Sequence, residues 1–137
     1  MTKAEQETAR RFAERYRVAP AEVSRRVELA VIGGDWGANG YTTKAQADLL
    51  AARLGLRPGT RLLDLGAGRG WPGLYLAAAT GCQVVLADVP IEGLRAAAGR
   101  ARHEGLAGRA GLLVASARAL PLARASFDAV VHTDVLC

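Results

Sequence analysis

Asp64, Gly66, Gly68, Gly70 and Asp88 are the residues of this chain whose types and spacing could do chemistry. Glycines at alternate positions let a backbone turn approach a ligand that any Cβ would hold off. Pro72, just beyond them, fits the first turn of a helix, where its missing N–H costs nothing. The apolar run Leu62-Leu63-Asp64-Leu65 leads into these glycines, so the stretch reads as a buried strand delivered into a turn that opens a helix. Such a turn cradles a nucleotide-like cofactor. Asp88 ends the next apolar run about 20 residues on, where a carboxylate can accept both hydroxyl hydrogens of a ribose. The turn alone leaves the nucleotide open. Dinucleotide-binding enzymes place G-x-G-x-x-G at the same point, and here the third glycine comes one position early.

The elements that must hold these residues alternate. After Arg57-Pro58-Gly59-Thr60 the pattern predicts strands over 61–65, 83–88, 111–115 and 127–132, with helices over 72–80 and 90–104. This is the βαβ rhythm of an α/β fold. Strands so uniformly apolar are expected to be covered on both faces, as in a parallel sheet. Right-handed crossovers then place the first strand at the centre, and the order 3-2-1-4 is expected. Ligands bind such sheets beyond the carboxyl ends of the strands, where the order reverses. We therefore expect a partial Rossmann-like parallel sheet over residues 58–137, preceded by a helical cap region over 1–57.

In that cap region Ala9, Phe12, Ala13 and Tyr16 share one face of a helix over 3–18, and Thr2 with Glu5 makes a capping box. Pro20 interrupts the pattern. A second helix through Val23, Val27, Ala30 and Val31 stops at Gly33-Gly34. The next stretch carries Gly37 and Gly40 with Trp36 and Tyr41, and its rings either reach a ligand or pin the loop to the core. Thr43 and Gln46 make another capping box, opening a helix through Ala45, Leu49, Leu50 and Leu54 that ends at Gly55.

At 137 residues, half of them hydrophobic, the chain has the length and apolar content of one domain with a real core. No apolar run approaches the roughly 20 residues of a membrane span, and the charged start lacks a signal peptide's apolar segment. A soluble cytoplasmic protein is expected. The formal charge of +5 rests mostly on arginines scattered through predicted helices, such as Arg10-Arg11, Arg25-Arg26, Arg95, Arg100 and Arg102, which read as solvated faces. With only 5% aromatics to interleave with them, a nucleic-acid partner is not expected. Cys82 and Cys137 have no metal-ligand spacing and read as small buried or terminal thiols, so no metal site is expected.

The third predicted strand runs into Ala115-Ser116-Ala117-Arg118-Ala119-Leu120-Pro121-Leu122, followed by Ser126-Phe127-Asp128. Together with Asp64, the glycine turn and Asp88, these residues resemble the class I S-adenosylmethionine-dependent methyltransferases, in particular the small-molecule, type 11-like group with an LPF-x-x-x-SFD-type signature. The resemblance covers residues 62–136. It implies S-adenosyl-L-methionine as cofactor and a small-molecule methyl acceptor. By the same likeness, Gly66, Ala67, Gly68 and Gly70 pass beside the methionine portion, and Asp64 anchors that region directly or through water. Asp88 holds the ribose diol, Val89 packs on the adenine, and Ser116 and Ala117 bracket its edge. Ser116 stands where the family usually has an acid, which implies a weaker contact. The loop ending at Tyr41 resembles a segment that covers the cofactor in some relatives. A nicotinamide or flavin dehydrogenase, and a binding module without catalysis, are the rival readings.

Methyl transfer from a sulfonium mainly needs the acceptor held in line at about 3–3.5 Å, so a dedicated base is optional. His132 and Asp134, just past the fourth strand, are the candidates for taking a proton. For both, ordinary loop polarity or a cofactor contact is the favoured alternative, and His103 reads as solvated. The chain stops at Cys137, straight after the fourth strand, where the family's sheet normally continues. We therefore expect an N-terminal part of a longer fold, with the fourth strand an exposed edge open to self-association or a partner chain.

Overall fold

Every strand and helix predicted for the alternating region is present in the computed structural model, which describes residues 1–135. Helices α1 (Lys3–Arg17), α2 (Glu22–Val31) and α3 (Lys44–Arg53) come first. They are followed by β1 (Arg61–Leu65), α4 (Gly73–Thr80), β2 (Gln83–Asp88), α5 (Ile91–His103), β3 (Ala110–Val114) and β4 (Ala129–Val131). The strands form one parallel sheet in the order β3-β2-β1-β4. With β1 and β2 side by side in the middle, the glycine turn and Asp88 leave the sheet next to each other. Leu62 faces Val84 across this pair, and Asp64 faces Leu86.

The core lies where α4 and α5 pack on β1 and β2, and Leu62, Leu74, Leu76, Val84 and Leu86 are fully buried in it. Each such side chain gains roughly 1.5–3 kcal/mol from leaving water. Cys82 is also buried there, as expected of a small thiol. Cys137 lies outside the described residues. Both capping boxes form, with Glu5 N–H donating to Thr2 Oγ1 and Gln46 N–H to Thr43 Oγ1.

Three expectations need correction. The outer strands are shifted or shortened: β3 begins at Ala110, and β4 pairs with β1 only over Ala129–Val131. Just before β4, Asp128 is tied to β1 by backbone and side chain together: its N–H donates to the Arg61 carbonyl at 2.9 Å and its carboxylate accepts the Arg61 N–H at 2.8 Å, while Phe127 lies beneath the Arg61 guanidinium. Coverage on both faces holds for β1 and most of β2, whereas Leu112 and Val114 of β3 and Val130 of β4 stay exposed. Pro72 precedes the first helical residue as the N-cap of α4 and follows a cis peptide bond with Trp71.

The cap helices are built differently. No residue of α1 is buried, and α2 buries only Glu28 while its stripe of Val23, Val27 and Val31 is exposed. Glu28 turns inward because its Oε1 accepts the N–H groups of Trp36 at 2.6 Å and Ala38 at 3.1 Å. Trp36 packs against Trp71 and Tyr75, with the Arg100 guanidinium over its ring. Of the two loop readings, Trp36 fulfils the pinning one. Arg100 is consequently half-buried rather than solvated, and it also donates to the Asp35 carbonyl at 2.8 Å.

Candidate functional site

β1 ends at Leu65, and the chain reverses through Gly66-Ala67-Gly68-Arg69-Gly70 toward α4. The N–H groups of Gly66 and Ala67 donate to the Ala87 carbonyl at 2.8 and 3.2 Å, which stitches the turn to the end of β2. Asp88 closes the other side: Oδ2 accepts the Gly68 N–H and Oδ1 the Val89 N–H, each at 2.7 Å. Gly68 has a φ of +52°, and a Cβ there would stand 2.7 Å from the Tyr16 hydroxyl, so conformation and space both require glycine.

Beneath the turn, Asp64 is 1% exposed, and its Oδ2 accepts the Gly73 N–H at 2.9 Å. A Cβ on Gly73 would approach that oxygen to 2.5 Å, so the bond exists only because residue 73 is glycine. Burial pushes the Asp64 carboxyl up to about 8, outweighing the Gly73 bond, and the nearby Asp88 charge adds to the rise. Burial also raises Asp88, against the lowering effect of the Gly68 and Val89 N–H bonds. A carboxylate offers about four acceptor sites, so the two backbone bonds leave Asp88 capacity for a diol.

Parallel strands bring the other predicted residues to the same end of the sheet. Ala115 N–H donates to the Asp88 carbonyl at 3.0 Å, which sets Ser116 and Ala117 beside β2. Ser116 Oγ accepts the Arg118 N–H at 3.2 Å, and its own hydroxyl hydrogen remains a donor. Asp64, Gly66, Ala67, Gly68, Gly70, Asp88, Val89, Ser116 and Ala117 are thus gathered at one sheet end. Tyr41 is not drawn in, because it is 85% exposed. His132 is exposed at the sheet end. Asp134 is engaged by the loop: its Oδ2 accepts from Thr42 N–H at 3.2 Å and Thr42 Oγ1 at 2.9 Å.

Two side chains that sequence reasoning did not assign also meet the turn. Tyr16 of α1 lies against Gly68 and Gly93, and burial together with the Asp88 charge raises its phenol. Arg69 sends Nη2 to the carbonyls of Arg15 at 3.0 Å and Val18 at 2.7 Å. The apolar stripe of α1 was legible, but its partners at Gly68 and Gly93 lie more than fifty residues away in the chain and left no local signal. Among the described residues no group of three or more His, Cys, Asp or Glu could hold a metal ion, and no helix is long and apolar enough to cross a membrane.

A family profile described as a methyltransferase domain matches residues 62–137. The methyltransferase GfsG of Streptomyces halstedii is 41% identical over 81 residues, which are 59% of this chain and 29% of that protein. The uncharacterized protein Rv1403c of Mycobacterium tuberculosis is 34% identical over 123 residues, 85% of this chain and 41% of that protein. Among solved structures, the cyclase SpnF aligns with a TM-score of 0.62 and 28% identity, covering 82% of this chain and 48% of that one. A Geobacter sulfurreducens methyltransferase solved with S-adenosyl-L-homocysteine aligns with a TM-score of 0.64 at 24% identity, covering 80% and 43%, and supports the fold. The chain spans less than half the length of each of these proteins.

Proposed function

The chain belongs to the class I S-adenosylmethionine-dependent methyltransferase family, and on that premise we propose that residues 58–137 form the cofactor-binding part of an enzyme that methylates a small molecule. The observation that carries this reading is the Gly68 N–H bond to Asp88 Oδ2, which joins the glycine turn to the ribose-type carboxylate at the sheet's switch point. The residues present fit S-adenosyl-L-methionine. The turn runs through positive φ at Gly66, Gly68 and Gly70, a backbone course suited to glycine, and Asp88 keeps acceptor capacity for two hydroxyls. When bound, this cofactor supplies an electrophilic methyl group on a sulfonium.

The chain's own part is positioning. Asp88 orients the ribose, Val89 and Ala117 supply apolar contact to the base, and Ser116 donates from its hydroxyl. Asp64, being buried, acts through the turn by holding Gly73 and the start of α4. His132, exposed at the rim, would be the candidate to take a proton from an acceptor if one is needed, while Asp134 serves first as a tether for Thr42. The cap region over 1–57 closes the cofactor side, and a cytoplasmic setting and a non-nucleic-acid acceptor belong to the same proposal. The exposed edge at Val130 of β4 is where another segment or chain would pair.

The likeness to SpnF, whose description is that of a cyclase, favours one second reading: cofactor binding without methyl transfer. Incubation with methyl-labelled S-adenosyl-L-methionine and a panel of small acceptors separates the two. Label in an acceptor supports transfer; binding with no label moved supports the second reading. Replacing Asp88 with Ala is expected to weaken S-adenosyl-L-homocysteine binding by about 1.5–3 kcal/mol, the worth of charge-assisted hydrogen bonds. Unchanged affinity would remove Asp88 from the site.

A further inference from the structure

α1 buries no residue, yet both its ends are fastened to the loops assigned to the cofactor. At the C-terminal end Arg69, from within the glycine turn, donates to carbonyls that a helix end leaves without intrahelical partners. Tyr16 stands against Gly68 there, with the Arg69 guanidinium 5.4 Å from its ring centroid. Arg17 pairs with Glu92 in the first turn of α5 at 2.7 Å. At the N-terminal end Glu5 pairs with Arg118 at 2.8 Å, one residue beyond Ala117.

The ends of α1 therefore rest on the loops that follow β1 and β3. Because β2 lies between those strands, the line joining the two fastenings passes the end of β2, and Tyr16 feels the Asp88 charge there, while the helix also packs against the start of α5 at Gly93 and Glu92. The lengths agree: from Glu5 to Tyr16 a helix rises about 16 Å, and strands two apart in a sheet are separated by about 10 Å. The half-buried residues Glu5, Ala9, Phe12, Ala13 and Tyr16 form one helical stripe, the inward one.

The two fastenings differ in kind. Arg69 is half-buried and makes several charge-assisted bonds at once, whereas the Arg118 side chain of the other pair is 77% exposed. Exposed ion pairs are weak and are screened by salt. We propose that α1 is a strap over the cofactor slot, hinged at Arg69 and Tyr16 and latched by the Glu5–Arg118 pair, so that the cofactor enters and leaves by release of the N-terminal end. This rests on the reading of Asp88 and the glycine turn as the cofactor site.

Stopped-flow dissociation of S-adenosyl-L-homocysteine tests the strap. In the native chain the off-rate should rise with ionic strength, as screening opens the latch. Glu5→Ala and Arg118→Ala should each raise the low-salt off-rate about threefold, the size expected for losing an exposed pair. Both should flatten its salt dependence, and the double variant should add little to either. Amide hydrogen exchange over residues 3–10 should quicken without any ligand in Arg118→Ala, which leaves the Thr2–Glu5 capping box in place. If S-adenosyl-L-homocysteine binds but off-rates in both variants and exchange in Arg118→Ala match the native chain, the strap is wrong and the site reading stands. If the native chain does not bind S-adenosyl-L-homocysteine, the site reading fails and the strap fails with it.

Discussion

The unit from β1 to β2 and the helices α1 and α2 are held by opposite means. In the first, Leu62, Val84 and Leu86 are sealed from water, and backbone bonds tie the glycine turn to Ala87 and Asp88. In the second, the apolar stripe of α2 lies in solvent and that of α1 is only half-buried, so charged groups supply much of the fastening: Glu28 to Trp36 and Ala38, Arg69 to Val18, Arg17 to Glu92. Burial gives the first unit a fixed shape, as a turn that approaches a ligand within van der Waals contact must have. Tethers at a few points leave the cap segments able to shift without unfolding the sheet, as segments closing over a ligand must.

The largest expected effect that would sharpen this contrast depends on pH. Asp64 has a carboxyl pushed up to about 8 in the fold, against an ordinary 3.8 when unfolded. Between those values the folded state binds the extra proton, so stability falls as pH rises from about 4 to about 8 and is flat beyond. At roughly 1.4 kcal/mol per pH unit the loss is bounded by about 6 kcal/mol. Urea unfolding across this range should show the fall, and Asp64→Asn, which keeps an acceptor for Gly73, should remove most of it. An unchanged slope in the variant would mean that the buried unit carries no such charge penalty.

Next in size is Leu62→Ala, expected to cost about 2–5 kcal/mol in the same assay through lost burial and a cavity. Glu28→Ala should cost about 1.5–3 kcal/mol, because it strands two loop N–H groups, and should quicken hydrogen exchange at Trp36 and Ala38 while leaving β1 and β2 protected. Exchange rising equally in the strands would erase the distinction between the regions. Smallest is Val27→Ala on α2, expected to change stability by no more than about 0.5 kcal/mol. A core-sized loss there would show that the valine stripe is covered in solution.

What could be read ahead of the structure divides along the same line. The capping boxes at Thr2 and Thr43, the turn at Gly66 to Gly70 and the strand ending in Asp88 are specified by residues close in the chain, and they form as read. The sheet order matches the expected 3-2-1-4, with right-handed crossovers around a central first strand. Contacts made by single side chains across long separations were not legible. Arg69 meets Val18 across 51 residues, and Glu28 faces inward only because the Trp36 loop returns over it. Nor does an apolar run reveal where a ladder begins: β4 starts at Ala129, although Phe127 and Asp128 precede it in the run read as strand.

Competitive calorimetry with S-adenosyl-L-homocysteine and NAD, on the native chain and on Asp88→Ala, tests the cofactor assignment most directly. S-adenosyl-L-homocysteine should bind more tightly than NAD, and the variant should lose at least about tenfold in affinity, the lower end of the hydrogen-bond loss. Tighter binding of NAD, or full affinity for S-adenosyl-L-homocysteine in Asp88→Ala, would contradict it.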